Sequence, residues 1–304
     1  MSNIVQKRIY FYLFSGLLVI LSLLAIFIWK PNLGIDFLGG SIMELSASDL
    51  ANSVGKIKSQ AENSGIRVNS ATTSGVNIVT LRMPTLTTDQ HNKLLTDLKN
   101  SVNPDINENS YQNIGPVISK NLTNKAIWAV VIASLAIILY IAFAFRKVPK
   151  PMSSWMFGVT AVVALIHDLI VTSGFVTIVG HFYKFMQVDS LFITALLTIM
   201  GFSVHDTIVV FDRLRENAIK HPGGKIETLA NDSIMQTISR SINTSLTTIM
   251  VLVALFVLGG ESISGFVLTL IAGITFGTYS SIFIATMLLV SWNNKRKSDF
   301  DIRI

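Results

Sequence analysis

Residues 201–216 read Gly-Phe-Ser-Val-His-Asp-Thr-Ile-Val-Val-Phe-Asp-Arg-Leu-Arg-Glu, and this stretch closes an apolar run that begins near Leu191. About twenty apolar residues are enough for a helix to cross a hydrocarbon core of roughly 30 Å. Asp206 and its neighbour His205 lie inside that predicted span. A carboxylate within a bilayer is strongly unfavourable unless it faces other protein or water. We therefore expect Asp206 to face the interior of a helix bundle and to have a partner there.

The composition of the chain is typical of a protein with several membrane spans. Half of its 304 residues are hydrophobic, 14% are charged, and none is cysteine, which excludes disulfides and Cys-ligated metal sites. The net charge is +6, but many basic residues flank apolar runs, where the lipid bilayer and its topology account for them. We therefore expect no nucleic acid partner. The sequence contains no phosphate-binding loop, metalloprotease motif or serine elbow, so we expect no enzyme, cofactor or metal.

Six apolar runs predict an α-helical polytopic membrane protein. The predicted spans are residues 9–29, 126–145, 155–179, 190–211, 243–258 and 265–292. The first run resembles a secretory signal in position, but its apolar core is too long and no small-x-small cleavage site follows, so we favour a retained span. The predicted domains are 1–29, with the N-terminus and first span; 30–125, outside the cytoplasm; 126–292, a five-helix bundle with a cytoplasmic loop at 213–240; and 293–304, a tail.

The segment 30–125 has no spanning run and is long enough for a small α+β domain. Its patterns predict the order βαββαβ, which is typical of a ferredoxin-like fold. The predicted elements are a strand at 41–45, a helix at 48–64 with Ser48 as N-cap and Gly65 as stop, strands at 67–72 and 76–83 around a Ser74-Gly75 turn, a helix at 87–98 capped by Thr87 or Thr88, and a strand at 111–118.

Lysine and arginine predict the orientation of the chain. The N-terminus, the loop at 146–150 with Lys147 and Lys150, the polar stretch at 213–240 and the C-terminus are rich in these residues. The loops at 180–189 and 259–264 contain Lys184 as their only lysine or arginine. By the positive-inside rule, six spans with both termini in the cytoplasm fit this distribution. Prolines 149 and 151 are expected to end the second span. The stretch 213–240 predicts surface helices on either side of residues 221–224.

Three ionisable sites fall in or near the predicted spans. They are Asp206, Asp168 with the preceding His167, and Arg240, which lies in a Ser/Thr-rich run at 236–248. One interpretation is a proton pathway, in which Asp206 loads and releases a proton near Arg240. The alternative is a static ion pair that only sets the register of the helices. We favour the pathway because intramembrane acids are usually functional.

The histidines and the charges at the end of the fourth span have simpler interpretations as well. His167 and His205 either relay protons or are neutral side chains packed between helices, and we favour packing. A His-Asp pair alone lacks the third and fourth ligands of a metal site. Asp212 and Arg213, with the charged residues that follow, are typical of an interfacial cluster at a helix end.

The motifs of this chain together resemble the SecF branch of the SecD/SecF family of protein-export membrane proteins. These motifs are Gly-Ile-Asp-Phe-Leu-Gly-Gly at 34–40, Gly-Pro-Val at 115–117, His-Asp at 167–168, and the run at 204–216. The likeness extends over nearly the whole chain, and the run at 204–216 is its most specific part. The family more often has Asn at position 205 and Thr at position 38, where this chain has His and Leu.

The resemblance implies a fold of the resistance-nodulation-division type and a complex with SecD. It also implies association with the SecYEG channel and often with YajC. The family uses the proton-motive force to draw a translocating preprotein outward across the cytoplasmic (inner) membrane. Asp206 matches the family's intramembrane aspartate and Arg240 its arginine before the fifth span. The alternatives are a small-molecule proton-coupled exporter of the same superfamily and a structural scaffold for SecD.

Overall fold

The computed structural model describes residues 3–301 except 75, 147, 150, 151 and 184. The chain divides into two compact units, one formed by residues 1–32 and 128–304 and the other by residues 33–127. Several residues named in the sequence predictions lie outside the described residues. They are Gly75 of the Ser74-Gly75 turn, and Lys147, Lys150, Pro151 and Lys184 of the connecting loops.

Six helical segments are long and apolar enough to cross a membrane, which confirms the predicted number of spans. The first segment consists of a 3₁₀ turn (Ile4–Lys7) and helix α1 (Arg8–Trp29). The next four are single helices: α5 (Pro116–Ala144), α6 (Ser154–Phe182), α7 (Ser190–Lys220) and α8 (Ile226–Leu258). The last contains α9 (Glu261–Tyr279), a π-helical turn (Ser280–Ile284) and α10 (Ala285–Asp301).

Helices lie on either side of residues 221–224, as the sequence predicts, but they are continuations of the spanning helices. Helix α7 continues from the fourth span to Lys220, and α8 begins at Ile226 and continues into the fifth span. The connection is the short His-Pro-Gly-Gly segment at 221–224. Within the stretch 213–240, proline and glycine occur only in this segment, so only this segment interrupts the helix. Ion pairs between residues three and four positions apart stabilise the polar end of α7.

The helical unit is built around α6, α7 and the last segment, whose apolar side chains form the main core. Helices α5 and α8 have few buried residues. The end of α5 is anchored by an aromatic cluster, in which Phe145 stacks on Phe157 with ring centroids 5.1 Å apart, and Phe211 packs edge-on against both. The guanidinium of Arg215 lies 5.9 Å from the Phe145 ring centroid.

The smaller unit is a four-stranded antiparallel sheet with two helices. The strand order is β2-β3-β1-β4, and β1 pairs with both β3 and β4. Its elements are α2 (Ile35–Leu38), β1 (Gly40–Ser46), a 3₁₀ turn (Leu50–Ser53), α3 (Val54–Asn63), β2 (Ser70–Ser74), β3 (Ile78–Met83), α4 (Thr88–Ser101) and β4 (Asn107–Ile114). Alternate residues of β3 are buried, and they meet the apolar faces of α3 and α4 in a separate core.

The backbone conformation before β1 explains why two glycines occur there. Gly39 and Gly40 have φ angles of +74° and +133°, which residues with a side chain rarely adopt. A Cβ at Gly40 would also lie 2.8 Å from the carbonyl oxygen of Met83 on the neighbouring strand. The Gly-Gly dipeptide therefore allows the chain to turn into the sheet at close range to β3.

Several element ends in this unit differ from the sequence predictions; for example, β2 is Ser70–Ser74 rather than 67–72. The helix predicted from Ser48 begins instead as a 3₁₀ turn at Leu50, after Asp49, whose φ is +57°. The last strand is Asn107–Ile114 rather than 111–118, because Pro116 is the first residue of α5. Thr87 caps α4 as predicted, in a reciprocal capping box with Gln90.

We predict that Gly174→Ala disrupts the packing of α1 on α6. A Cβ at Gly174 would overlap the side chain and the Cα of Ser22, so the two helix backbones must separate. Overpacking of this kind costs about 1–3 kcal/mol, and we expect a lower thermal unfolding midpoint in detergent. Gly16→Ala is the matched control, since nothing lies within 4 Å of the Cβ position. An unchanged midpoint for Gly174→Ala would contradict this close approach.

Candidate functional site

The buried polar residues in the middle of α7 lie on one face of the helix. Ser203, Asp206, Thr207 and Val210 are buried, at the spacing of three and four residues that places side chains on one helical stripe. His205 lies outside this stripe and is exposed. The adjacent His and Asp of the motif therefore point in different directions, and only the carboxylate faces the bundle.

Asp206 is 3% exposed and faces hydroxyl groups of α8. Its Oδ2 lies 3.5 Å from Ser245 Oγ, at the outer limit of a hydrogen bond. Ser241, one turn earlier on α8, faces the same carboxylate, but its buried hydroxyl is not placed to hydrogen bond with any described atom. Asp206 is thus buried in protein, but its carboxylate accepts few and long hydrogen bonds. Such an environment is unfavourable for a fixed negative charge.

The predicted pair of Asp206 with Arg240 is not formed in this structure. Arg240 is exposed, and its guanidinium makes no ion pair with a carboxylate in the described part of the chain. The backbone gives the reason: Ser241 and Ser245 occupy the face of α8 that meets α7, and Arg240 immediately precedes Ser241 on the helix. The arginine therefore lies beside the contact between the two helices rather than within it.

Arg240 instead lines a polar cavity of about 370 Å³ between α7 and α8. We call this cavity the vestibule. Its lining residues are Ile208, Val209, Asp212, Arg213, Glu216, Gln236, Thr237 and Arg240. Val209 follows Asp206 by three residues on α7, and Thr237 precedes Ser241 by four residues on α8. The vestibule therefore begins about one helical turn from Asp206, on the side of the polar helix ends.

The charges around the vestibule are paired mainly along α7. Arg215 and Asp212 are 2.9 Å apart, and Glu216 contacts both Arg213 and Lys220. Arg213 also donates from Nε to Gln236 on α8 at 2.5 Å. The predicted cluster of Asp212 and Arg213 is thus an ion-pair network on one helix with a single link to the next helix.

Asp168 has a very different environment from Asp206. It is fully buried, and its Oδ2 accepts a 2.6 Å hydrogen bond from the Ser203 hydroxyl on α7. Its Oδ1 lies 3.0 Å from Nδ1 of His167, the preceding residue. Ser281, in the π turn, donates to the Ser203 carbonyl oxygen at 2.7 Å. Asp168 therefore joins α6, α7 and the last segment in one hydrogen-bonded network.

Of the five residues predicted for a proton pathway, the structure brings His167 and Asp168 together, and it brings Asp206 against α8. Nε2 of His167 is buried and has no partner among the described atoms. His205 and Arg240 are exposed. In the described residues, no group of three or more His, Cys, Asp or Glu side chains is placed to hold a metal ion.

Sequence reasoning did not single out Ser203, Ser281 or Thr278. The hydroxyl of Thr278, on α9, lies 2.6 Å from Ser245 Oγ. The available signal was the spacing of serines and threonines inside apolar runs, such as Ser241 and Ser245 at four residues. A serine or threonine hydroxyl can equally donate to a backbone carbonyl of its own helix. Spacing alone therefore does not identify the hydroxyl groups that contact another helix.

Residues 94–295 match the family described as protein export membrane protein SecD/SecF, C-terminal, and residues 25–49 match the SecD/SecF GG motif. The chain belongs to the SecD/SecF family. The GG-motif match includes Gly39 and Gly40, and the larger match includes Asp168, Asp206 and Arg240. The resemblance inferred from the motifs is thereby confirmed.

Several curated SecF and SecDF proteins are similar to this chain. A protein translocase subunit SecF of Thermobaculum terrenum is 40% identical over 97% of this chain and 95% of its own length. A SecF of Haemophilus influenzae is 34% identical, over 90% and 81% of the two chains. A protein translocase subunit SecDF of Bacillus subtilis is 31% identical over 95% of this chain, which matches 38% of that protein.

Solved structures of SecDF share the fold. A crystal structure of SecDF from Thermus thermophilus, described as a translocon-associated membrane protein, has a TM-score of 0.82 and 31% identity. The match covers 96% of this chain and 39% of that chain. A second SecDF crystal structure, in a super-membrane-facing form, has a TM-score of 0.71 and 30% identity. This chain thus spans about two fifths of the SecDF chains that it matches.

We predict that Ser203→Ala destabilises the helical unit by about 1.5–3 kcal/mol, because it removes a short hydrogen bond to a buried carboxylate. Thermal unfolding in detergent should show the loss, and the loss should shrink in an Asp168→Asn background. Ser134→Ala is the control, since that hydroxyl donates to the carbonyl of Val130 on its own helix. Equal effects of Ser203→Ala with and without Asp168 would contradict the network.

Proposed function

We propose that this chain is the SecF subunit of a preprotein translocase, which acts with SecD and uses the proton-motive force to promote late steps of protein export. Membership of the SecD/SecF family supports this role, since relatives over nearly the full length are named protein translocase subunit SecF. The mechanism rests on the environment of Asp206. Its carboxylate is buried at the contact of α7 with α8, and its hydrogen-bond contact with the Ser245 hydroxyl is long.

In the proposed mechanism, Asp206 binds and releases a proton. The neutral acid suits the enclosed position, whereas the carboxylate requires a cation or water because its present partners are weak. Arg240 and the vestibule supply both, about one turn away. Release of the proton would therefore draw the Arg240 guanidinium toward Asp206 and shift α8 along α7. Reprotonation would return Arg240 to the vestibule.

The energy available is sufficient for such a movement. One charge crossing 100 mV releases about 2.3 kcal/mol, which is enough to shift a two-state equilibrium more than tenfold. The unit at 33–127 is joined covalently to the helical unit through the ends of α1 and α5. We propose that repacking of the helices is conveyed to it by these connections, and that it pulls on the translocating preprotein.

The two histidines and Asp168 have supporting roles in this proposal. Asp168 is held by Ser203 and His167, so it stabilises the contact of α6 with α7 rather than exchanging its proton at each cycle. The buried, unpartnered Nε2 of His167 remains a candidate for a proton relay when the helices separate. His205 is exposed beside Asp206 and would face the partner subunit or lipid.

SecD is the partner best supported by the comparisons, since the B. subtilis and T. thermophilus relatives are SecDF proteins. The apolar faces of α5 and α8 are largely unburied here, and we propose that they contact the SecD spans. Association with SecYEG, with YajC and with the preprotein is proposed from the family alone. A small-molecule exporter and a passive scaffold for SecD are outcomes that the experiments below can detect.

The proposed arrangement in the inner membrane follows the charge distribution, with both termini and the 213–240 loop in the cytoplasm. The domain division at 1–29, 30–125, 126–292 and 293–304 belongs to the same proposal. We further propose that the domain at 30–125 is a ferredoxin-like module on the outer side of the membrane. The βαββαβ element order and the strand order β2-β3-β1-β4 support that assignment.

We predict that Asp206→Asn abolishes the stimulation of preprotein translocation by a proton gradient, because the amide cannot exchange a proton. The measurement is translocation into vesicles containing the SecYEG channel and this chain with SecD, with and without an uncoupler. The control is Asp232→Asn, which removes a half-exposed carboxylate of α8. This variant should retain the stimulation by the proton gradient. Co-purification with SecD should survive in both variants.

The possible outcomes separate the three functions. Gradient-dependent export by Asp206→Asn would overturn the proton-carrying role and favour the scaffold. Failure of the wild-type chain to associate with SecD and SecYEG would favour the exporter. Loss of export together with loss of SecD binding would indicate a folding defect, and Asp206→Glu then serves as the second variant, with export expected to return in part.

We predict that water reaches the vestibule from the cytoplasm. The chain has no cysteine, so single cysteines can be introduced into the natural sequence. A cysteine at Gln236 in the vestibule should react with a membrane-impermeant maleimide in inverted vesicles and stay unreactive in intact cells. A cysteine at Met250, on an exposed apolar face of α8, should be unreactive in both. Labelling of Gln236→Cys from outside would reverse the proposed orientation.

A further inference from the structure

Helix α5 is buried only near its two ends. Ser119, in its first turn, is 4% exposed, and Ile141, near its last residue, is fully buried. The structure describes all of the residues 120–140, and none of them is buried. This middle part spans about 31 Å of helix. Only partly buried side chains in it, such as Val130 and Ala133, meet the core of the helical unit. The helix is therefore held more weakly between its ends than at them.

The start of α5 belongs to the compact unit at 33–127. Only Gly115 separates the end of β4, at Ile114, from the first residue of the helix. Gly39 lies against this first turn, since a Cβ added to Gly39 would be 3.5 Å from Ser119 Oγ. The first turn is thus packed into the same unit as the sheet, so a movement of α5 carries the domain with it.

The other connection to the domain is not helical. It consists of residues 30–34, between α1 and α2, and Lys30 has a φ of +55°. Asn32 attaches this segment to the helical unit, because its carbonyl oxygen accepts from Val188 N at 2.8 Å and its side-chain amide donates to the Met186 carbonyl at 3.2 Å. A non-helical segment is less stiff than a helix, whose backbone hydrogen bonds are internal. Helix α5 is therefore the stiffer of the two connections.

Near its C-terminal end, α5 contacts α6 and α7 at different residues. Gly158 of α6 lies against the α5 backbone, since a Cβ there would be 3.2 Å from the Ile138 carbonyl oxygen. Phe145, which directly follows α5, stacks on Phe157 of α6 with ring centroids 5.1 Å apart. Its ring also meets Phe211 of α7 edge-on, with centroids 6.1 Å apart. The contact at Ile138 is thus with α6, whereas the contact at Phe145 includes α7.

These contacts divide α5 into two unequal arms. Ile138 and Phe145 are about 10 Å apart along the helix axis, whereas Ile138 and Ser119 are about 28 Å apart. If the backbone contact at Gly158 stays in place, a sideways displacement of Phe145 is enlarged about threefold at Ser119. A small shift within the aromatic cluster can thus produce a larger movement of the domain.

The aromatic cluster at the end of α5 is next to the vestibule. Phe211 follows Asp206 by five residues on α7 and directly precedes Asp212, which lines the vestibule. Arg215 pairs with Asp212 at 2.9 Å, and its guanidinium lies 5.9 Å from the Phe145 ring centroid. A movement of α7 at Asp206 would therefore reach Phe145 through Phe211 and Arg215.

We propose that α5 is a lever arm that turns about Gly158 and conveys movement of α7 to the domain at 33–127. The movement enters at Phe145 and leaves at Ser119, and the non-helical segment at 30–34 follows it. This inference rests on the proposed role of Asp206. It adds which of the two connections carries the movement, and it makes the close approach at Gly158 the fixed point of the helix.

Ser134→Pro tests the longer arm. Ser134 lies between Ser119 and Ile138, and proline there removes a backbone hydrogen bond and kinks the helix. We expect this variant to lose the stimulation of preprotein translocation by a proton gradient, measured in vesicles that contain SecYEG, SecD and this chain. Ser134→Ala is the matched control, because alanine leaves the helix intact, and it should retain the stimulation. Both variants should co-purify with SecD.

Two pairs of spin labels on introduced cysteines test the fixed point. The outer pair replaces Phe27 of α1 and Trp128 of α5, and the inner pair replaces Ile9 of α1 and Tyr140 of α5. All four side chains are exposed. The label distances are measured in proteoliposomes with SecD and SecYEG, frozen either with a proton gradient or with an uncoupler. Because Tyr140 is two residues from Ile138 and Trp128 is ten residues from it, we expect a larger change in the outer distance than in the inner one.

The outcomes distinguish this inference from the proposed function. Loss of stimulation in Ser134→Pro with SecD binding retained, together with a larger change in the outer distance, supports the lever arm. Stimulated export by Ser134→Pro, equal changes in the two distances, or no change in either overturns the lever arm and leaves the proton-carrying role intact. If Ser134→Pro fails to bind SecD, the label distances decide, since they are measured with the native Ser134. Gradient-stimulated export by Asp206→Asn overturns the proposed function itself.

Discussion

The satisfaction of buried carboxylates is the constraint on which the helical unit depends. A bundle of apolar helices cannot accept a charge at its centre unless hydrogen bonds, a cation or water replace the lost solvation. In the described part of the chain, two carboxylates are buried, and their surroundings differ. Asp168 has a short hydrogen bond and a neighbouring imidazole, whereas Asp206 has one long contact and an unused hydroxyl nearby. The same residue type is therefore well hydrogen-bonded at one site and weakly hydrogen-bonded at the other.

Small residues of the last segment lie close to the surroundings of both carboxylates. Gly277 approaches Asp168 and Ser203, the following Thr278 meets Ser245, and Ser281 in the π turn bonds to the backbone of α7. π turns are frequent at functional sites because they rotate side chains out of the regular helical register. Here Ser281 of the turn donates to α7, and Thr278, which precedes the turn on α9, meets α8. The last span is thus a common neighbour of the two sites.

Arg240 lies at the exposed edge of the contact between α7 and α8, where it lines the vestibule. A guanidinium in water loses little by leaving a fixed partner, whereas a buried one without a partner is strongly unfavourable. Arg240 is exposed beside a polar cavity, one residue before the serine that faces Asp206. The ion pairs of Asp212 and Glu216, by contrast, are formed within α7.

Hydropathy in the sequence was sufficient for the six spans, because a run of apolar residues must be buried in lipid or protein whatever its neighbours are. The motif at 201–216 was sufficient to predict that Asp206 is buried and to indicate the family. The polar strand β4 was displaced in the prediction because it lacks alternating apolar residues, and the ends of α7 and α8 were missed because polarity alone does not end a helix. The choice of partner for Asp206 was decided only in three dimensions. Sequence gives the residues near a helix position, but the rotation of α8 decides whether serine or arginine faces the acid.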